Sequence, residues 1–160
     1  MKSFSSVIEK FQHQFGLHYV LVPEKIAKQF NGKFPIRVKA EIGNQIMQCA
    51  LMKRSDGTYL IYLNFQVRKK LKLKIGDEIT VTLKPDDSEF GLDLPEELEV
   101  LLEQDPEGKE KFLALNPGTQ RNIIYYISTA GREETRINRS IFMIERAKNG
   151  YWEPKRKVKS

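Results

Sequence analysis

Between Ile36 and Ile42 apolar and polar residues alternate strictly: Ile36, Val38, Ala40 and Ile42 against Arg37, Lys39 and Glu41. A period of two puts the sets on opposite faces of a strand, one dry and one wet. Gly43-Asn44 is a two-residue hairpin turn, so a second strand returns from Gln45 to about Lys53. Ser55-Asp56-Gly57 turns the chain again, into a third strand from Tyr59 to Phe65. Over Glu78 to Lys84, Ile79, Val81 and Leu83 alternate with threonines and a lysine. Upstream, Phe4 to Gln12 and His18 to Val22 read as strands, the second stopped by Pro23, which has no backbone donor. Helical spacing of Ile26, Ala27 and Phe30 predicts a short helix from Glu24 to Phe30, closed by Asn31-Gly32. Val67 to Leu73 predicts a second, basic one. Six short strands leave pairing edges exposed unless the sheet closes. The expectation is an α+β chain: a small six-stranded closed or nearly closed β-barrel, then a short C-terminal helical segment.

The period changes beyond Pro85-Asp86-Asp87-Ser88, a linker-like stretch. Pro95 is placed at a first helical position, where its missing donor costs nothing, and Glu96 and Glu97 suit the helix dipole. Leu98, Leu101 and Leu102 supply that helix's apolar face. Asp105-Pro106 opens a second helix carrying Phe112, Leu113 and Leu115, and Asn116-Pro117 a third with Ile123, Ile124 and Ile127. Ala130-Gly131 breaks the pattern before a fourth helix, Arg132 to Lys148, which ends at Asn149-Gly150. Ile137, Ile141 and Ile144 form its expected packing face. The expected organisation is a barrel domain over residues 1–90, a helical segment over 91–150, and a basic mobile tail over 151–160.

Composition adds bounds. The chain has 160 residues, 40% hydrophobic and 30% charged, which is ordinary for a globular protein. Its one cysteine, Cys49, excludes an intramolecular disulfide and sits in the apolar run Ile46–Leu51, where a thiol is expected buried and unreactive. Met1 to Ser6 has no apolar leader pattern, and no apolar stretch reaches membrane-spanning length. The expected location is therefore the cytoplasm, with no membrane span. The net charge of +6 lies wholly in the first ninety residues, with 15 Lys+Arg against 9 Asp+Glu; the remainder balances at 12 against 12.

Few residue patterns support chemistry. His13, His18 and Cys49 have no zinc-site spacing. Asn116-Pro117-Gly118-Thr119 lacks the lysine-containing ending of a phosphate loop. Asp86-Asp87 and Glu96-Glu97 read as linker and helix-start charges. No cofactor, metal ligand or catalytic residue is assigned, and the reading is a non-enzymatic binding protein. One arrangement stands out. At about 100° per residue, Arg132, Arg136, Arg139 and Arg146 fall within a sector of roughly 80° on the fourth helix. Arg121, on the preceding helix, joins them if the two form a hairpin. Arg121, Arg132, Arg136 and Arg139 are thus a candidate site for an anionic small molecule or an acidic peptide. The competing reading pairs these arginines with Glu133, Glu134, Glu145 and the acids of Glu96–Glu110, with Arg136 engaged within the protein and Arg139 free. A second candidate, for nucleic acid as the less favoured partner, is Arg68, Lys69, Lys70, Lys72 and Lys74.

The residues also carry a resemblance. Leu21-Val22-Pro23, the Gly76-Asp77 turn, Leu94-Pro95-Glu96-Glu97-Leu98, Asn116-Pro117, Arg121, Tyr126-Ile127, Ala130, Glu134-Thr135-Arg136 and Arg139 follow in that order. From about Phe4 to Gly150 the chain resembles proteins that fuse a β-barrel domain of unknown function to a helical bacteriocin-protection, YdeI/OmpD-associated domain. The resemblance implies that fold and a link to antimicrobial-peptide or bacteriocin tolerance, a form of stress tolerance. It implies no catalytic residue. Separately, Val67 to Asp77 looks like the helix-to-strand turn of swapped-hairpin transition-state regulators, which bind DNA.

Overall fold

The structure, a computed structural model, describes residues 2–11 and 17–154. The chain divides into two compact units, Met1–Asp87 and Ser88–Ser160.

The first unit holds β1 (Lys2–Val7), β2 (Glu9–Lys10), β3 (His18–Val22), α1 (Glu24–Ala27), β4 (Ile36–Ile42), β5 (Gln45–Lys53), β6 (Tyr59–Tyr62), α2 (Phe65–Lys70) and β7 (Glu78–Pro85). The strands pair antiparallel in the order β1-β7-β4-β5-β6-β3-β2. Among the described residues there are seven strands rather than the six expected, because the first predicted strand breaks at Ile8. Before the break it pairs with β7; after it, with β3. The Ile8 N–H donates to the Asp77 carbonyl and the Ile8 carbonyl accepts from the Gly76 N–H, both at 2.9 Å. The two ends of the pairing order are therefore one residue apart in the chain, and the sheet wraps into a nearly closed barrel. A single straight strand cannot serve both edges; the bend at buried Ile8 lets one segment do so. Gln12, the expected strand end, lies outside the described residues.

Strand alternation sets the barrel interior. Val38, Ala40 and Ile42 are buried, and across the β4–β5 hairpin they face Cys49, Met47 and Gln45. Leu51, Ile61, Val81 and Leu83 complete the centre of that core. The predicted strand Tyr59–Phe65 stops early. Asn64 caps α2 instead, its Oδ1 accepting from the Val67 N–H at 2.8 Å, so Phe65 opens the helix. That helix ends at Lys70, short of Leu73, and Lys72 takes a left-handed φ of 52°. α1 is a single turn, with Phe30 reached through turn hydrogen bonds.

The second unit packs α3 (Glu96–Gln104), α4 (Pro106–Leu113), α5 (Pro117–Ser128) and α6 (Glu133–Lys148). Its caps are local chemistry. Asp105 accepts from the Gly108 N–H at 2.9 Å and Asn116 from the Thr119 N–H at 2.8 Å, each followed by a proline whose missing donor is harmless there. Pro95 stands at the cap of α3, one residue before the expected position. Leu98, Leu102, Phe112, Ile123, Ile124, Ile127 and Ile144 form the core. α4 approaches α6 closely because residue 108 is glycine: a Cβ there would lie 2.5 Å from the Ile144 side chain. Of the expected packing face of α6 only Ile144 is buried; Ile137 and Ile141 are 41% and 46% exposed. α4 covers Ile144, while the other two border a groove against α3. Among the described residues no helix is long and apolar enough to cross a membrane.

Candidate functional site

The arginine stripe forms on α6, but its members have different partners. Arg136 turns to α3: its Nε donates to Glu97 Oε1 at 2.8 Å, and its Nη1 donates to the Ala130 carbonyl at 3.0 Å. This is the carboxylate pairing from the acidic first helices considered above. Arg139 is not free. Its Nη1 donates to the Tyr126 carbonyl at 2.7 Å, and its guanidinium lies 4.4 Å from the Tyr126 ring centre. Arg146 sits between the Phe142 and Tyr151 rings, at 4.4 and 4.3 Å. Arg132 caps α6 and is exposed. Arg121 stands seven residues before the end of α5, so it is roughly 10 Å along that helix from the end where Arg132 follows, at 1.5 Å per residue. Arg136 and Arg139 lie on α6, Arg132 stands at its extended cap rather than within it as expected, and Arg121 lies near the middle of α5.

A second ion pair lies further along. Lys148 Nζ reaches Asp105 Oδ2 at 3.0 Å and Glu145 Oε1 at 3.2 Å. Going from Arg136 to Lys148 on α6 matches going from Glu97 to Asp105 on and just past α3, so the two helices run the same way. Both pairs set titration. The Arg136 hydrogen bond holds the Glu97 carboxyl below its ordinary range, with a backbone hydrogen bond helping. The Gly108 N–H first, and Lys148 second, lower Asp105; Asp105 in turn raises Lys148.

Between these clamps α3 and α6 enclose a groove of about 370 Å³. That is within the roughly 300–1,000 Å³ of typical ligand clefts. Val100, Leu101, Ile137 and Ile141 supply its apolar surface; Glu96, Glu97 and Glu133 gather at the end where both helices begin. Glu97 is engaged by Arg136, but Glu96 and Glu133 have no basic partner among the described residues. The concave surface is thus acidic and apolar, unlike the arginine face. Sequence reading missed it. The available signal was Val100, an apolar residue that helical spacing places on the side of Glu96, Glu99 and Glu103 rather than with Leu98 and Leu102.

On the barrel unit Arg68 is partly tied down, its Nε donating to the Leu63 carbonyl at 3.3 Å and its Nη1 lying 3.2 Å from His18 Nε2. Lys69, Lys70, Lys72 and Lys74 are exposed. Cys49, expected buried, is half-buried against the barrel core, and that desolvation pushes its thiol up to about 12, against a smaller opposing effect of Arg37. Such a thiol is no nucleophile at neutral pH. His13 lies outside the described residues. Among the described ones, no three His, Cys, Asp or Glu side chains gather as a metal-holding group.

Fold and site define a two-part chain: a nearly closed antiparallel barrel unit, and a four-helix unit with an acid-lined groove. Residues 4–83 match the domain of unknown function DUF1905, and the chain belongs to that family. Residues 91–150 match the family described as Bacteriocin-protection, YdeI or OmpD-Associated, so the two families follow one another in the order that the resemblance implied. A search of curated proteins returns no match to the chain.

Proposed function

We propose that this is a non-enzymatic binding protein whose helical unit takes up one face of a cationic amphipathic peptide helix. The observation that carries it is the α3–α6 groove. Val100, Ile137 and Ile141 are 41–46% exposed there, beside Glu96 and Glu133, which lack basic partners among the described residues. Apolar side chains of a peptide cover the groove while its lysines meet the glutamates. The match of residues 91–150 to a family described by bacteriocin protection supports a peptide ligand of this kind. Calorimetry with a synthetic lysine-leucine helix tests it. The full chain binds that peptide, a charge-reversed glutamate-leucine helix does not, and Ile141→Ser and Glu133→Lys each weaken binding at least several-fold. Equal binding by the wild type and both variants removes the proposal.

The arginine face supports a second reading with the opposite charge. Arg132 has no carboxylate partner among the described residues, and Arg139 is held by a carbonyl and a ring rather than an acid. Preference for the acidic peptide in the same calorimetry, lost in Arg132→Ala, favours that face.

A further inference from the structure

We propose that the barrel unit carries a docking surface for an anionic phospholipid bilayer, built from Ile46, Phe65, Ile75 and the lysines at 69, 70, 72 and 74. From Leu63 to Gly76 the chain has five cations and no acid. Val67, Leu71 and Leu73 pin this segment to the barrel core, while Phe65, Lys69, Lys70, Lys72, Lys74 and Ile75 are exposed. Two of those exposed residues are large and apolar: Phe65 at 65% exposed and Ile75 at 54%. Ile46, at 66% the most exposed large apolar side chain among the barrel's described residues, belongs to the same region. The Asn64 N–H donates to the Met47 sulfur at 3.4 Å, which sets Ile46-Met47 beside Asn64-Phe65. The tip of the β4–β5 hairpin also abuts the segment, since a Cβ on Gly43 would lie 3.6 Å from Leu71. Arg68 and Lys69 stand 5.8 and 6.0 Å from the Phe65 ring centre, so cations flank the aromatic side chain.

Exposed apolar tips among unpaired cations cost free energy in water and need an occupant offering both negative charge and an apolar phase. A bilayer with anionic headgroups offers both, at adjacent depths. Duplex nucleic acid matches the lysines alone. Single strands stack bases on aromatic rings, which serves Phe65 but leaves Ile46 and Ile75 without a role. The lipid surface is the occupant that uses all seven residues.

The test is co-sedimentation of the full chain with vesicles of phosphatidylglycerol and phosphatidylcholine, and with phosphatidylcholine alone. The expected result is binding to the anionic vesicles only, weakening as salt rises. Lys69→Ala with Lys70→Ala lowers the affinity about five-fold per lysine removed. Ile46→Ser with Phe65→Ser lowers it roughly ten-fold at unchanged charge, by withdrawing the apolar contact. All four side chains are exposed, and an unchanged unfolding transition confirms that each variant is folded. Absence of sedimentation overturns the proposal, as does sedimentation equal for the wild type and both variants. Tighter retention on duplex DNA than on vesicles, unaffected by Phe65→Ser, replaces the lipid with nucleic acid.

Discussion

Arg136→Ala tests whether the best-formed arginine of the stripe holds the helical unit together. Arg136 and Glu97 keep only 27% and 13% of their side-chain surface exposed, so the pair is neither a surface ion pair nor fully buried. Exposed pairs are worth about 0.2–1 kcal/mol, and breaking a fully buried one costs about 3–5 kcal/mol. The truncation also removes the hydrogen bond to the Ala130 carbonyl and leaves Glu97 without its cation. Hydrogen bonds to charged groups contribute about 1.5–3 kcal/mol, so the expected loss is roughly 2 kcal/mol. Trp152 is the chain's one tryptophan and packs against the helical core, so its fluorescence reports this unit during urea unfolding. At a slope of about 1–2 kcal/mol per molar, the midpoint falls by roughly 1–2 M. The pH dependence follows from Glu97, whose carboxyl is depressed in the folded chain. Stability from this pair is complete above the unfolded carboxyl value, above roughly pH 5, and is lost as pH falls through the lower folded value. Arg136→Ala flattens that acid-side loss. A midpoint within error of wild type, or Arg136→Ala and Glu97→Ala losses that simply add in a double-mutant cycle, refutes the pairing as a source of stability.

Gly108→Ala reverses the usual gain from replacing a helical glycine. The added Cβ meets Ile144 at 2.5 Å and Asp105 at 2.7 Å, so the helical unit loses about 1–3 kcal/mol in the same urea assay. Cys49, with its thiol pushed up to about 12, reacts with a thiol-specific reagent at pH 8 more than about a hundred-fold slower in the folded chain than in urea; equal rates contradict the burial.

Period alone puts Arg136, Arg139 and Arg146 on one helix, because a helix's angular spacing is a property of its own residues; Arg132 falls at the extended cap instead. Arg136 meets an acid of the first helices, as expected, but Arg139, expected free, is held by a carbonyl and a ring that period cannot show, because Tyr126 reaches it from another helix. The same limit explains Ile137 and Ile141. Their spacing marks them as apolar side by side, but burial requires a covering element, and α3 borders them instead of covering them.

The sequence by itself determined the elements that depend on near neighbours. Alternation over Ile36–Ile42 defined a barrel strand, and Asp105-Pro106 and Asn116-Pro117 defined helix starts, since each cap is closed by an N–H three residues on. Only the tertiary structure decided what joins residues distant in the chain. The break at Ile8 takes shape from Gly76 and Asp77, which bind its backbone; the close approach of α4 to α6 rests on a glycine facing Ile144; and the groove exists because α3 and α6 are clamped at two ends by Glu97–Arg136 and Asp105–Lys148. Periodicity records which way a side chain faces on its own element, whereas a cleft depends on where a second element stops.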